Sequence, residues 1–309
     1  MQNVSVILQV FGGLALFLYG MDSMSCAIQQ GAGKRLRSLL ARCTANPVAG
    51  LATGAAVTAV VQSSSAVTVM VIAFLAAGLL QLRQAVPVVF GANIGTTVTA
   101  QLLAFQVEQW RYLLLFCGLL LCFASKGQKG RCAGEALFGF GLLFEGITVM
   151  SGALQPLAGN PRLWQWLARV QEDTALGLLA GLGMTLTVQS SSATIAMLQS
   201  AAVQLGPDGV HSLLGLAGAI PVLLGDNIGT TITVVLASIG QGRDAKRVAA
   251  AHAIFNLSGA AVCCAFLPQF TALAERLRGY TRFLYFHVMG EPLLHPDLPE
   301  LLRIAGALD

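Results

Sequence analysis

From Val4 to Met21 the chain runs without a charged side chain, long enough for a helix that needs about 20 apolar residues to cross about 30 Å of hydrocarbon. A first crossing is therefore predicted over residues 4–28. A cleaved signal peptide would need a basic leading region; the chain starts MQNVSV, and a retained helix is expected. Farther on the pattern changes. Residues 47–61 and 66–81 are apolar arms on either side of VVQSSSAVTV at 60–69, where a glutamine and three serines interrupt the run. Each arm has about 15 residues, about 22 Å of helix, too short for a full crossing. The arms read as a re-entrant helical hairpin over 47–81 with the serines at its tip, followed by crossings at 85–105 and 112–124.

The same pattern returns. TVQSSSATIA at 187–196 repeats the serine stretch, and AVPVVFGANIGTTVTA at 85–100 is repeated by AIPVLLGDNIGTTITV at 219–234. Upstream, GLALFLYGMDSMSCAIQQGAG (13–33) matches GFGLLFEGITVMSGALQPLAG (139–159), which sets Gly20 over Gly146 and Met24 over Met150. Three matched blocks in one order indicate an internal duplication. The second copy has seven more residues between its motifs, placed in the loop from Gly206 to Gly209. The expected units are 4–125 and 135–268, the second with its hairpin over 175–205, leaving 269–309 as a tail without a placement.

Three crossings plus one hairpin per unit is an odd count, which inverts the second unit. Charge supports the inversion. One predicted side carries Lys34, Arg35, Arg37, Arg42, Arg83, Lys126, Lys129, Arg131, Arg243, Lys246 and Arg247; the other carries Arg111, Arg162 and Arg169 with Glu108, Glu172, Asp173 and Asp208. The positive-inside rule makes the first side cytoplasmic. Arg276, Arg278 and Arg282 fall on the wrong side of this scheme.

Composition agrees with a bilayer as solvent: 55% of the 309 residues are hydrophobic and 10% are charged, against about a quarter charged in soluble domains. The net charge of +4 is dispersed between apolar segments, which argues against nucleic acid as a partner. The seven cysteines show neither CxxC spacing nor nearby histidines, so they read as small packing residues rather than metal ligands.

A broken helix at membrane depth is tolerated only where it is buried in protein or lines a wet cavity, so the QSSS tips read as a site. A helix starting near Ser64 or Ser191 offers free N–H groups and hydroxyls to an oxyanion. Hydroxyl and amide oxygens also suit a hard cation such as Na⁺. Asn93 and Asn227 are buried amides in awkward NIG helix interiors and read as site lining. Thr96, Thr97, Thr230 and Thr231 either terminate the broken helices or coordinate an ion. Asp226, with Ala92 as its counterpart, is an intramembrane carboxylate that would distinguish the two cation sites. Asp22 and Glu145 lie near predicted helix ends, in interfacial or coupling roles. His252 and Asn256, one turn apart, are either a satisfied core pair or support for the site. The Gly50-x-x-x-Gly54 and Gly177-x-x-x-Gly181 pairs read as close helix packing.

Duplicated QSSS motifs, each followed by G-x-N-I-G-T-T, with AHAIFN at 251–256 after the second, resemble the type II sodium/phosphate cotransporter family over roughly residues 10–268. The resemblance implies an all-α polytopic membrane protein of two inverted repeats with re-entrant hairpins and discontinuous helices, in the bacterial cytoplasmic membrane. It implies a non-enzymatic, sodium-coupled phosphate symporter working by alternating access. Phosphate would be held by Gln62, Ser63, Ser64, Ser65, Gln189, Ser190, Ser191, Ser192, Asn93 and Asn227. The expected Na⁺ ligands are Gln62, Ser65, Asn93, Thr96, Thr97, Gln189, Ser192, Asp226, Asn227, Thr230 and Thr231, with His252 and Asn256 behind them. Na⁺ is the co-transported ion, the lipid bilayer is the surrounding partner, and homo-oligomerisation is left open. Larger bacterial relatives add a soluble phosphate-regulator-like domain; the chain ends at Asp309, so regulation through one is not expected. A passive anion channel and a phosphate exporter fit the same residues. An intramembrane serine hydrolase fits less well, because neither QSSS has a nucleophile-elbow glycine pattern and the second copy has no matching histidine.

Overall fold

The structure, a computed structural model, describes residues 2–42, 46–104, 110–155, 161–204 and 214–277. Cys43, Glu108, the loop from Gly206 to Gly209 and the tail from residue 278 lie outside them. The described residues form helices and no strand. In order these are α1 (Gln2–Arg42), α2 (Pro47–Val61), α3 (Ser64–Ala76), α4 (Leu82–Ala104), α5 (Arg111–Ala124), α6 (Gln128–Leu154) and α7 (Pro161–Glu172). There follow α8 (Thr174–Val188), α9 (Ser191–Val203), α10 (Leu216–Gly229), α11 (Thr231–Ser238), α12 (Arg243–Ala265) and α13 (Leu267–Leu277). Among the described residues five stretches are long and apolar enough to cross a membrane: Ser5–Gly31, Leu82–Leu102, Gln128–Leu154, Leu216–Ser238 and Arg243–Ala265. These make the chain a multi-pass membrane protein.

Two expectations change. The first helix does not stop at residue 28; it continues to Arg42, about 60 Å at 1.5 Å per residue, running through Gly31 and Gly33 with no Pro among residues 29–42. The segment expected to cross at 112–124 is the 14-residue α5, about 21 Å and short of a full crossing. Its outer side chains, including Tyr112, Phe116, Leu120 and Phe123, are exposed and apolar, as a surface solvated by lipid tails requires.

The two copies of the first block pack on each other. α1 and α6 lie antiparallel: a Cβ placed on Gly13 would stand 2.8 Å from the Gly146 carbonyl, and one on Gly20 2.5 Å from that of Gly139. Under the sequence match Gly13 corresponds to Gly139 and Gly20 to Gly146, so each contact is the other with its partners exchanged. Small residues let the backbones approach this closely where no hydrophobic effect drives helices together. Phe17, Met24, Leu143, Phe144 and Met150 fill the same seam.

Each half-length helix before a QSSS lies along the helix that follows it. Gly50 and Gly54 of α2 face Pro87 and Val88 of α4, and Gly95 of α4 faces Ala55 and Thr58. Contacts advance together along both helices, so α2 and α4 run in the same direction. In the second half Gly177 faces Pro221, Gly181 faces Val222 and Gly229 faces Thr185, which gives α8 and α10 the same arrangement. Both glycine pairs singled out in the sequence therefore serve close packing. Starts of α2 and α8 are fixed alike, by Asn46 with Pro47 in the first turn and by Asp173, whose side chains accept from backbone N–H groups at the helix N-terminus.

Candidate binding site

At Gln62 the backbone turns left-handed, φ 61° and ψ 23°, and at Gln189 it does the same, φ 54° and ψ 27°. These are the two non-glycine residues with positive φ among the described residues. Such a conformation costs on the order of 1–3 kcal/mol per residue and persists where the surroundings impose it, most often at functional sites. Each glutamine caps the preceding helix, its N–H donating to Thr58 O (2.6 Å) or Thr185 O (2.7 Å). The Gln62 amide also donates back to the Ala59 carbonyl.

The serine after each glutamine is extended and starts the next helix. Ser63 Oγ accepts from the Ala66 N–H at 3.2 Å and Ser190 Oγ from the Ala193 N–H at 3.3 Å. The first intrahelical bonds are Val67 N to Ser63 O and Thr194 N to Ser190 O, both 3.2 Å. The N–H groups of Ser64, Ser65, Ser191 and Ser192 precede those bonds and have no acceptor within their helices. Each break thus presents donors and the positive end of a helix dipole.

All eight residues of the two QSSS motifs line one cavity of about 310 Å³, together with Leu18, Met21, Asp22, Ser25, Thr96 and Val188. Residues 127 positions apart in the chain meet there. Its lining contains hydroxyls, amides and one carboxylate, and no Lys, Arg or His. Among the described residues no three of His, Cys, Asp and Glu come together as for a transition metal.

Asn93, Asn227, His252 and Asn256 do not line this cavity and form one network. Asn93 Nδ2 donates to Asn256 Oδ1 at 2.9 Å, and Asn256 Nδ2 donates to the Asn227 carbonyl at 2.8 Å. His252 Nε2 donates to Asn93 Oδ1 at 3.0 Å. The network ties the NIGTT segment of one half to that of the other through α12, with Phe90 stacked on Phe255 beside it at 4.2 Å. Fully buried Asn256 is its centre. Asn256→Ala strands the Asn93 amide N–H, an unsatisfied buried group costing about 1–3 kcal/mol, and leaves the Asn227 carbonyl to the Thr230 hydroxyl. The thermal midpoint of the purified protein is expected to fall by several degrees, while Ser258→Ala, exposed on the same helix, leaves it unchanged.

The first NIG segment does not break its helix as its sequence suggests, whereas the second ends one. α4 continues through Asn93, Ile94 and Gly95, and α10 passes Asn227 to end at Gly229, one residue before α11. Thr96, Thr97, Thr230 and Thr231 donate their hydroxyls to carbonyls three or four residues back, which satisfies them inside the helix. Thr96 also faces the cavity. Asp226 is 2% exposed and accepts from Thr185 Oγ1, which itself meets Thr194 Oγ1 at 3.3 Å. It fastens α10 to α8, whose hydroxyl partner Thr185 meets α9. In the first half the counterpart is Ala92, and Thr58, the match of Thr185, is left buried without a partner.

Sequence reasoning missed the contribution of α1. Asp22 lies inside the 27-residue apolar span Ser5–Gly31, not near its end, and lines the cavity with Ser25. The detectable signal was its depth in that span, hidden by ending the helix early. Glu145 is also interior to its helix, where it binds Arg111 Nε at 2.7 Å and fastens α6 to α5.

The family model described as Na⁺/Pi-cotransporter matches the chain twice, over residues 16–152 and 146–286. YqeW of Bacillus subtilis, an uncharacterised protein, is 32% identical over 273 residues, covering 88% of this chain and 86% of its own length. YjbB of Salmonella typhimurium, whose name marks it as a candidate inorganic phosphate export protein, is 26% identical over 284 residues, 91% of this chain; the chain spans 51% of that relative's length. Sodium-dependent phosphate transport protein 2A of Oryctolagus cuniculus is 41% identical over 95 residues, 30% of this chain and 15% of its own. No solved structure matches the chain. With that family model matched twice over most of its length, and a QSSS from each match meeting in one cavity, the chain belongs to the Na⁺/Pi-cotransporter family, a family of transporters and not of enzymes.

Proposed function

We propose that the chain carries inorganic phosphate across the bacterial cytoplasmic membrane coupled to Na⁺, with both ions bound between the two QSSS breaks. The observation that carries this reading is the shared cavity, in which both breaks present helix N-termini and hydroxyls and no fixed cation. Phosphate has more than one negative charge near neutral pH, and its desolvation is offset by co-bound cations rather than by protein cations. That requirement is the physical source of coupling. Gln62, Ser65, Thr96, Gln189 and Ser192 supply Na⁺ with oxygens at the cavity. Asn93, Thr97, Asp226, Asn227, Thr230 and Thr231 do not line it, and set the positions of the two breaks.

Alternating access is supported by the partner exchange between α1 and α6, which suits two repeats of opposite orientation. The parallel runs of α2 with α4 and of α8 with α10 suit re-entrant hairpins, since α3 and α9 then return along their partners. The name of the YjbB relatives favours a second reading in which net flow is outward. Gradients decide direction, and the same site serves both. Equilibrium binding of ³²P-phosphate by the purified protein tests the proposal: binding is expected in Na⁺ and lost when K⁺ replaces it. Equal binding in both salts would remove the coupling.

A further inference from the structure

The QSSS motifs and the NIGTT blocks do not exhaust the polar surface of the cavity. Asp22 contributes the single ionisable side chain among the lining residues, from a helix that carries neither motif. It sits well inside the apolar span Ser5–Gly31, where a carboxylate facing lipid is costly and one facing a cavity is by default functional. Its match in the second half is Thr148, which returns its hydroxyl to the Phe144 carbonyl at 2.9 Å, so the acid occurs once and not twice. The nearest side-chain partner is weak: Cys26 Sγ stands 3.9 Å from Asp22 Oδ1. No basic side chain reaches it, since the lining holds no Lys, Arg or His.

A second observation on the same wall points to a ligand. Gln62 is 5% exposed, its amide nitrogen is used by Ala59, and its Oε1 is buried without a hydrogen-bond partner. An unsatisfied carbonyl oxygen of this kind is unfavourable unless something electropositive reaches it. Ser25, one turn from Asp22 and 6% exposed, accepts from Gln29 Nε2 at 2.9 Å, which fixes another oxygen at the lining. The wall therefore offers a carboxylate, an orphaned amide oxygen and a held hydroxyl, the donor set of a hard monovalent cation.

We infer that Asp22, with Ser25 and Gln62, forms a Na⁺ site on the α1 wall of the cavity, whose occupation is a condition for phosphate to enter. The inference rests on the sodium-coupled reading above. An unneutralised Asp22 carboxylate repels a phosphate anion bound at the breaks. With Na⁺ between them the repulsion becomes a bridge, and the acid adds one cation to each transport cycle. The wall is asymmetric because the repeat supplies Thr148 at the matching position, so this site has no twin.

The test measures phosphate uptake into proteoliposomes as a function of Na⁺ concentration for the wild type, Asp22→Asn and Asp22→Glu, alongside ²²Na⁺ binding to the purified proteins without phosphate. Wild-type uptake that ignores Na⁺ would overturn the sodium-coupled reading itself. With wild-type coupling intact, Asp22→Asn is expected to raise the half-saturating Na⁺ concentration about tenfold or more, to lower the Hill slope and to bind less ²²Na⁺. Asp22→Glu keeps the carboxylate and is expected to recover most of both. Unchanged Na⁺ dependence and unchanged ²²Na⁺ binding in Asp22→Asn would overturn the site alone, as would an effect confined to pH dependence, which would make Asp22 a proton carrier. Binding of ²²Na⁺ reads the site even in a variant that no longer turns over.

Discussion

Alanine at Ser64 or at Ser191 is expected to lower the proposed sodium-driven phosphate uptake about 10- to 100-fold, and the double variant to lose more. Each hydroxyl sits on the first residue of a helix, beside backbone N–H groups that have no acceptor within the helix. A hydrogen bond to a charged group contributes about 1.5–3 kcal/mol, and about 1.4 kcal/mol is a factor of ten in affinity. The helices themselves do not depend on these hydroxyls, because the capping oxygens belong to Ser63 and Ser190. Ser64→Ala and Ser191→Ala should therefore give folded protein with weakened substrate binding, read as initial rates at fixed Na⁺ and varied phosphate. Ser63→Ala is different in kind: it removes the cap at about 1 kcal/mol and loosens the break. Near-normal uptake in both Ser64→Ala and Ser191→Ala would show that the breaks do not hold the substrate.

Leucine at Gly181 is expected to abolish folded, monodisperse protein. A Cβ there would clash with the Val222 carbonyl oxygen and lie 2.9 Å from the Asp226 nitrogen, both backbone atoms of α10 that no rotamer can move aside. The helices must separate, which breaks the contact between Thr185 and Asp226 and opens the seam that positions the second break. Overpacking of side chains alone costs about 1–3 kcal/mol, and here the obstacle is main chain. Gly54→Leu meets the Val88 carbonyl in the first half and is expected to fail in the same way. Gly183→Leu, two residues from Gly181 in open space, is the matched control and should leave elution and thermal midpoint unchanged. A folded Gly181→Leu protein would mean that α8 and α10 do not pack as described.

Periodicity and repetition made much of this legible. Helix starts at Ser64 and Ser191 follow from three serines in an apolar run, and the packing of α2 on α4 follows from glycines four apart that recur in the second half. The left-handed glutamines were not legible, since no propensity places Gln at positive φ; the conformation is imposed by closing one helix and capping the next within two residues. NIGTT looked like a helix breaker because glycine and asparagine are poor helix interiors; α10 does end at Gly229, yet α4 runs through Asn93 to Thr97, held by long-range hydrogen bonds and close packing that only the folded chain supplies. Asp226 read as a ligand that distinguishes the two cation sites, because intramembrane acids usually face a site. Its partner, Thr185, lies 41 residues earlier, a contact that sequence spacing does not reveal. Asp22 was hidden by the length of α1, which carries its apolar span past the expected end.

Accumulation of ³²P-phosphate in proteoliposomes holding the purified protein, under an inward Na⁺ gradient and then with K⁺ in place of Na⁺, tests the central claim most directly. The account predicts sodium-dependent accumulation above the equilibrium level, which collapses when the gradient is dissipated. Phosphate that merely equilibrates, at the same rate in Na⁺ and K⁺, would contradict it and make the shared cavity part of a passive anion path.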